Sequence, residues 1–159
     1  MTNDETSMRL KPMVFVIRHV SFLVLALMLM GCQAESKTDS ADVREFLTHY
    51  FSTWSAKDMD GYGGCFHEQA RIVFVHQGIP QSQGLTDFLH GQKLSHATTT
   101  VPMTEVPTDM KILSDERTAQ ASVRWKLTKG ADITLGTDCF TLIKTSTGWK
   151  IMSLVFYND

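Results

Sequence analysis

A change of period constrains this chain more than any other feature. Between Ala119 and Leu127, apolar Ala119, Ala121, Val123, Trp125 and Leu127 alternate with Gln120, Ser122, Arg124 and Lys126. A two-residue period sends successive side chains to opposite sides of a strand, so the segment reads as half-buried β structure. The turn-forming Lys129-Gly130-Ala131-Asp132 leads into a second run, Ile133 to Lys144. Ser146-Thr147-Gly148 leads into a third, Trp149 to Tyr157. Three such runs joined by short turns make an antiparallel meander. Val101 to Leu113 is also extended, but Pro102 and Pro107 restrict it to an irregular edge.

Upstream the period is helical. Val43, Phe46, Leu47, Tyr50, Phe51 and Trp54 recur at three- and four-residue steps. They form one wide apolar face on a helix of about four turns. Asp39 or Ser40 can cap it, and Asp42 and Glu45 suit the positive end of its dipole. Lys57-Asp58-Met59-Asp60 breaks the pattern, and a weaker, glycine-containing helix is expected from Met59 to Phe66. A strand is expected over Ala70 to Val75, turns over Gly78 to Gly84, and a third helix from Leu85 to Leu94. The fold class is therefore α+β, with two to three N-terminal helices packed on an antiparallel sheet. In the last strand, strict alternation sends Trp149, Ile151, Val155 and Tyr157 one way and Met152, Leu154 and Phe156 the other. Helices cover only one of these apolar sides, so a homodimer through the sheet face is expected.

The 159 residues, 43% hydrophobic and 20% charged, suit one globular domain plus a short extra segment. That segment is the N-terminus. Arg9, Lys11 and Arg18 precede an apolar core, Val20 to Met30. Eleven residues rise about 16 Å as a helix, short of the roughly 20 residues a bilayer span needs. The dimensions are those of a secretory signal. Leu29-Met30-Gly31-Cys32 resembles the bacterial lipoprotein signal, which implies cleavage before Cys32 and its acylation, the lipid bilayer being the first partner. Gln33 after the cysteine, where aspartate would mark retention in the inner membrane, implies the outer membrane, facing the periplasm. The expected organisation is a signal over 1–31, a tether over 32–40 and a domain over 41–159. Past residue 31 the chain carries 12 basic and 15 acidic residues, with no basic cluster. Nucleic-acid binding lacks its electrostatic footprint.

Two stretches carry a wider resemblance. "YFSTWSAKDMDGYGGCFHEQARIVFVHQG" and the closing "FTLIKTSTGWKIMSLVFYND" resemble the SnoaL-like and ketosteroid-isomerase-like members of the nuclear transport factor 2-like (NTF2-like) superfamily. The resemblance runs from about Val43 to Tyr157. It implies a cone with a curved sheet and a pocket between the first helix, the third helix and the concave sheet face. Steroid-isomerase relatives use a tyrosine on the first helix to stabilise an oxyanion and a carboxylate base near the end of the first strand. Tyr50 matches the tyrosine. The base position falls on Phe74, which accepts no proton, so that chemistry needs another group.

His76, which titrates near neutrality, is the nearest substitute, although alternation lets only one of Val75 and His76 share the face of Phe74. Asp138, inside the otherwise apolar "LGTDCFTL", is the second acid–base candidate, because a buried carboxyl needs partners or a raised pKa. The catalytic candidates are thus Tyr50, His76 and Asp138, and the ligand-lining candidates are Trp54, Phe74 and Trp125. Each also has a plain structural reading as a core aromatic, a strand-end histidine or an outward polar residue. His90 and His96 make no helical metal pair, and His67 and Glu68 read as surface residues, so no metal or cofactor is expected. Cys65 and Cys139 leave a disulfide open. Three functions remain: binding of a small apolar ligand or a partner protein, an isomerase or lyase acting on a small hydrophobic substrate, and a structural or assembly role.

Overall fold

The structure is a computed structural model that describes residues 40–159. The expected signal, Cys32 and the tether as far as residue 39 lie outside the described residues, and Ser40 already belongs to the first helix. Helix α1 is described over residues 40–55. It buries Val43, Leu47, Tyr50, Phe51 and Trp54, the stripe that its helical period dictates. Asp58 caps helix α2 (Met59–Gly64) by accepting a hydrogen bond from the backbone of Gly61 at 2.9 Å. Strands β1 (Phe66–His76) and β2 (Ile79–Gly84), helix α3 (Leu85–Thr98), and strands β3 (Met103–Ser114), β4 (Thr118–Lys129), β5 (Asp132–Thr145) and β6 (Gly148–Asn158) follow.

The strands form one sheet in the order β2-β1-β6-β5-β4-β3. All neighbours are antiparallel except β1 and β6, which run parallel. The sheet is therefore mixed, where an antiparallel one was expected. The chain's first strand sits beside its last, a pairing that no local pattern announces. Gly78 to Gly84 also departs from expectation, since most of it is strand β2. Gln77 and Gly78, at φ of 50° and 77°, close a two-residue hairpin. Ile79-Pro80-Gln81-Ser82-Gln83-Gly84 contains too few apolar residues to show a strand period. The edge strand β3 changes register between Pro107 and Asp109, as its two prolines lead one to expect.

Strand β6 corrects a further expectation. Ser153 pairs with Thr141 and Ile151 with Leu142, so Met152 is an extra residue in a bulge. Alternation resets there. Trp149, Ile151 and Leu154 are all buried on the side of the helices, and Phe156 packs with them. Val155 and Tyr157 fall on the opposite side, and so do not share a face with Trp149 and Ile151 as strict alternation required.

The core lies between the helices and this side of the sheet, with Leu47, Phe51, Ile72, Phe140, Leu142 and Ile151 fully buried. Each such side chain contributes about 1.5–3 kcal/mol by leaving water. The opposite side leaves Leu113, Ile133 and Leu135 exposed. Cys65 and Cys139 are both free thiols. Among the described residues, no helix is long and apolar enough to cross a membrane.

Candidate active site

The helices and the sheet enclose a cavity of about 210 Å³. Tyr50 and Trp54 enter it from α1, Tyr62 from α2, and Phe88, Gln92 and Ser95 from α3. The sheet supplies Glu105, Trp125, Leu127, Asp138, Leu154, Phe156 and Asn158. Ser95 and Asn158 are exposed, so the cavity opens at that end.

At the closed end the Tyr50 and Tyr62 hydroxyls share a hydrogen bond of 2.9 Å. The rings of Phe51, Phe66 and Phe140 stand edge-on to Tyr50 at 5.0, 5.9 and 5.3 Å. Burial above all, with the charges nearby, drives both phenol pKa values well above the usual tyrosine range. Both therefore remain protonated and keep a hydrogen to donate.

Asp138 faces the same cavity from β5 and is 4% exposed. The Trp125 indole N–H donates to its Oδ1 at 2.7 Å. Gly136 makes this contact possible. It lies directly across from Trp125 in the ladder, and a Cβ there would sit 2.2 Å from Trp125 Cζ2. Without a side chain at 136, the indole lies across β5 and reaches the carboxyl two residues on, which points the same way. Burial pushes the Asp138 carboxyl up to about 7, and the Trp125 bond only partly opposes the rise.

Glu105 is the second acid in the cavity. Ser55, the last residue of α1, donates from Oγ to the Glu105 carbonyl at 3.0 Å and accepts from its N–H at 2.8 Å. This reciprocal pair fastens the edge strand to the helix at the residue that carries the carboxyl. Burial first, and then the charge of Asp138, push the Glu105 carboxyl up to about 8. The two carboxyls interact, and in one poorly solvated cavity both hold their protons more tightly than exposed acids do. Such a pair can accept and donate protons near neutrality.

On the α3 side, Trp54 donates from its indole nitrogen to Gln92 Oε1 at 2.8 Å. The Trp54 ring packs against His96 at 4.4 Å. His96 is 5% exposed and neither ring nitrogen has a hydrogen-bond partner. Burial, then Lys57, lower its pKa and favour the neutral ring.

The sequence candidates Tyr50, Trp54, Trp125 and Asp138 meet in this one cavity. Phe74 does not line it, but stacks on Phe156 at 4.9 Å and backs that wall. His76 shares the face of Phe74, its ring 5.9 Å away. It is nevertheless exposed beside the β1–β2 hairpin and does not line the cavity that Tyr50 and Asp138 share. Glu105 and Tyr62 were missed. The phase Met103, Glu105, Pro107 on the inner side of β3 would have found Glu105, had the prolines not masked the strand. Tyr62 stands among Gly61, Gly63 and Gly64, where helix signals are weak. Among the described residues, no group of three His, Cys, Asp or Glu is placed to hold a metal ion.

The family described as "Putative lumazine-binding" matches residues 38–157. No curated protein matches the chain. Solved structures do resemble it. An NTF2-like protein of unknown function from Pseudomonas putida is 11% identical with a TM-score of 0.68, over 77% of this chain and 88% of that one. A protein from Streptomyces avermitilis described as a "putative dehydratase" of the NTF2-like family is 18% identical with a TM-score of 0.64, over 77% and 97%. A protein from Novosphingobium aromaticivorans described as a "putative scytalone dehydratase" is 12% identical with a TM-score of 0.64, over 77% and 85%. At these identities the likeness is one of fold, and that fold is NTF2-like.

Proposed function

The chain belongs to the family described as "Putative lumazine-binding", and on that premise we propose that its cavity binds a small, flat, apolar ring compound and moves a proton on it, as an isomerase or dehydratase. The observation that carries this reading is the presence of Asp138 and Glu105, both with raised pKa, in one cavity with the Tyr50–Tyr62 pair. Asp138 as carboxylate takes a proton from the carbon next to a carbonyl. The electron pair moves onto the carbonyl oxygen, where a tyrosine hydroxyl meets it. Glu105 then delivers its proton, either to another carbon, which isomerises the substrate, or to a departing hydroxyl, which eliminates water. The dehydratase descriptions of two fold relatives agree with this class of reaction. Phe74 at the expected base position assigns the base role to another strand.

The test is exchange of deuterium from solvent into the α-carbon of small cyclic ketones, followed by NMR, with lumazine as a ring probe in a parallel binding measurement. Asp138→Asn should lower the exchange rate about 100-fold or more, and His76→Ala should leave it unchanged. Binding of the ring probe without any exchange would replace this reading with the purely ligand-binding one.

For the place of action, the proposal is export and attachment through an acylated Cys32 to the outer membrane, facing the periplasm. The apolar Val20–Met30 segment and the Leu29-Met30-Gly31-Cys32 boundary support it. Mass spectrometry of the protein from a lipoprotein-processing host should find a diacylglyceryl Cys32 terminus. An intact, unacylated Met1 terminus would refute it. The sheet side that carries Leu113, Ile133 and Leu135 is proposed as a homodimer surface.

A further inference from the structure

We infer that the cavity selects its ligand by charge: it accepts a flat ring bearing an N–H or O–H donor, uncharged or protonated, and refuses the carboxylate analogue. This rests on the proposed function only in taking the same cavity as the ligand site.

The inference follows from which hydrogen-bonding groups in the wall are already engaged. The Trp125 N–H is taken by Asp138 Oδ1, and the Trp54 N–H by Gln92 Oε1. One of the two tyrosine hydrogens is taken within the Tyr50–Tyr62 pair. Beside the second tyrosine hydrogen and the proton that the acid pair can hold, what remains is acceptor. Asp138 Oδ2 has no hydrogen-bond partner among the described residues although the residue is 4% exposed. Ser55 holds only the backbone of Glu105, so that carboxyl too faces the cavity, with at least one oxygen able to accept whether or not it carries a proton. These acceptors face the cavity rather than being sealed away, and a ligand that brings a donor to them gains the hydrogen bond.

Among the described residues the wall also lacks any positive charge, since none of the Lys, Arg or His side chains described lines the cavity. Arg124 is the cation next along β4 from Trp125, but it points away from the cavity, is exposed and pairs with Asp159. An anionic ring would place a third acidic group beside two carboxyls, in a space where water screens poorly. The aromatic rings of Phe88, Phe156 and Trp54 favour a flat ligand, and about 210 Å³ restricts it to one or two fused rings.

The test uses three naphthalene probes of nearly equal shape, an alcohol, a methylammonium and a carboxylate, titrated into the protein by calorimetry near pH 7.5. The alcohol and the ammonium should bind, and the carboxylate should bind about 100-fold more weakly than the ammonium. In Glu105→Gln/Asp138→Asn, which keeps the volumes and the acceptor for Trp125, the carboxylate should come within about threefold of the alcohol. Glu105→Gln alone, at a half-buried position, should show part of this shift if the double variant folds poorly. Equal affinity for carboxylate and ammonium in the native protein would overturn the inference, as would selectivity unchanged in the variants. Failure of all three probes to bind would overturn it together with the ligand site. Charge-selective binding without deuterium exchange would leave it standing and remove only the catalytic reading.

Discussion

The two sides of one sheet behave as different materials. On β5, Asp138, Phe140 and Leu142 face the helices and are almost wholly buried, while Ile133 and Leu135 on the other side are 63% and 47% exposed. Outward Thr137 in mid-strand is also buried, at 7%, whereas Ile133 and Leu135 lie near the β4–β5 turn. Apolar character alone therefore does not decide burial here; position along the strand and cover by the helices do. The same contrast governs the acids. Exposed Asp115 accepts from the backbone N–H groups of Arg117 and Thr118, which hold its carboxyl below the usual range. Asp138 has one such donor, but burial outweighs it and moves the carboxyl upward. Cover by helices converts an ordinary aspartate into a group that can exchange protons near neutrality.

The comparison can be broken most directly in the core. Phe140→Ala should destabilise by about 3–5 kcal/mol in denaturant unfolding, whereas Leu135→Ala on the same strand, measured at concentrations where the protein is monomeric, should change stability by under about 0.5 kcal/mol. Similar losses would show that the outer side is also covered.

The next largest effect lies in pH. A carboxyl whose folded pKa is raised binds its proton more tightly in the native state. Stability from this source is full below the unfolded pKa near 4 and is lost as pH rises through the folded value near 7. Asp138→Asn removes that loss. The variant should gain on the native protein between about pH 4 and pH 7, by roughly 4 kcal/mol at most. A constant difference across that range would mean that Asp138 titrates normally.

A smaller shift is expected for Trp125→Phe. Losing the N–H removes the one interaction that favours the ionised Asp138, so its pKa should rise by up to about one unit. The pH midpoint of deuterium exchange should follow it upward. The smallest change in folding concerns the outer side. Leu135→Lys should leave the stability of the monomer within about 0.5 kcal/mol while shifting the sedimentation of the protein from dimer to monomer. A native protein that already sediments as a monomer would dispose of the homodimer.

Much of this architecture was legible without coordinates. The helical stripe from Val43 to Trp54 identified α1 and put Tyr50 and Trp54 on its buried face. The alternation in β4 placed Trp125 inward, and the apolar surroundings of Asp138 made the acid a candidate while leaving an outward position open. These are local properties, fixed by 3.6 residues per helical turn and two per strand repeat. Tertiary structure alone decided the rest. The pairing of β1 with β6, the bulge at Met152 and the position of Glu105, two strands away from Asp138, depend on contacts between distant segments. A bulge leaves no periodic trace, because it is the one residue that breaks the period. The raised pKa values have the same origin. An aspartate's side is written in its neighbours along the chain, but its desolvation depends on which helices arrive to cover it.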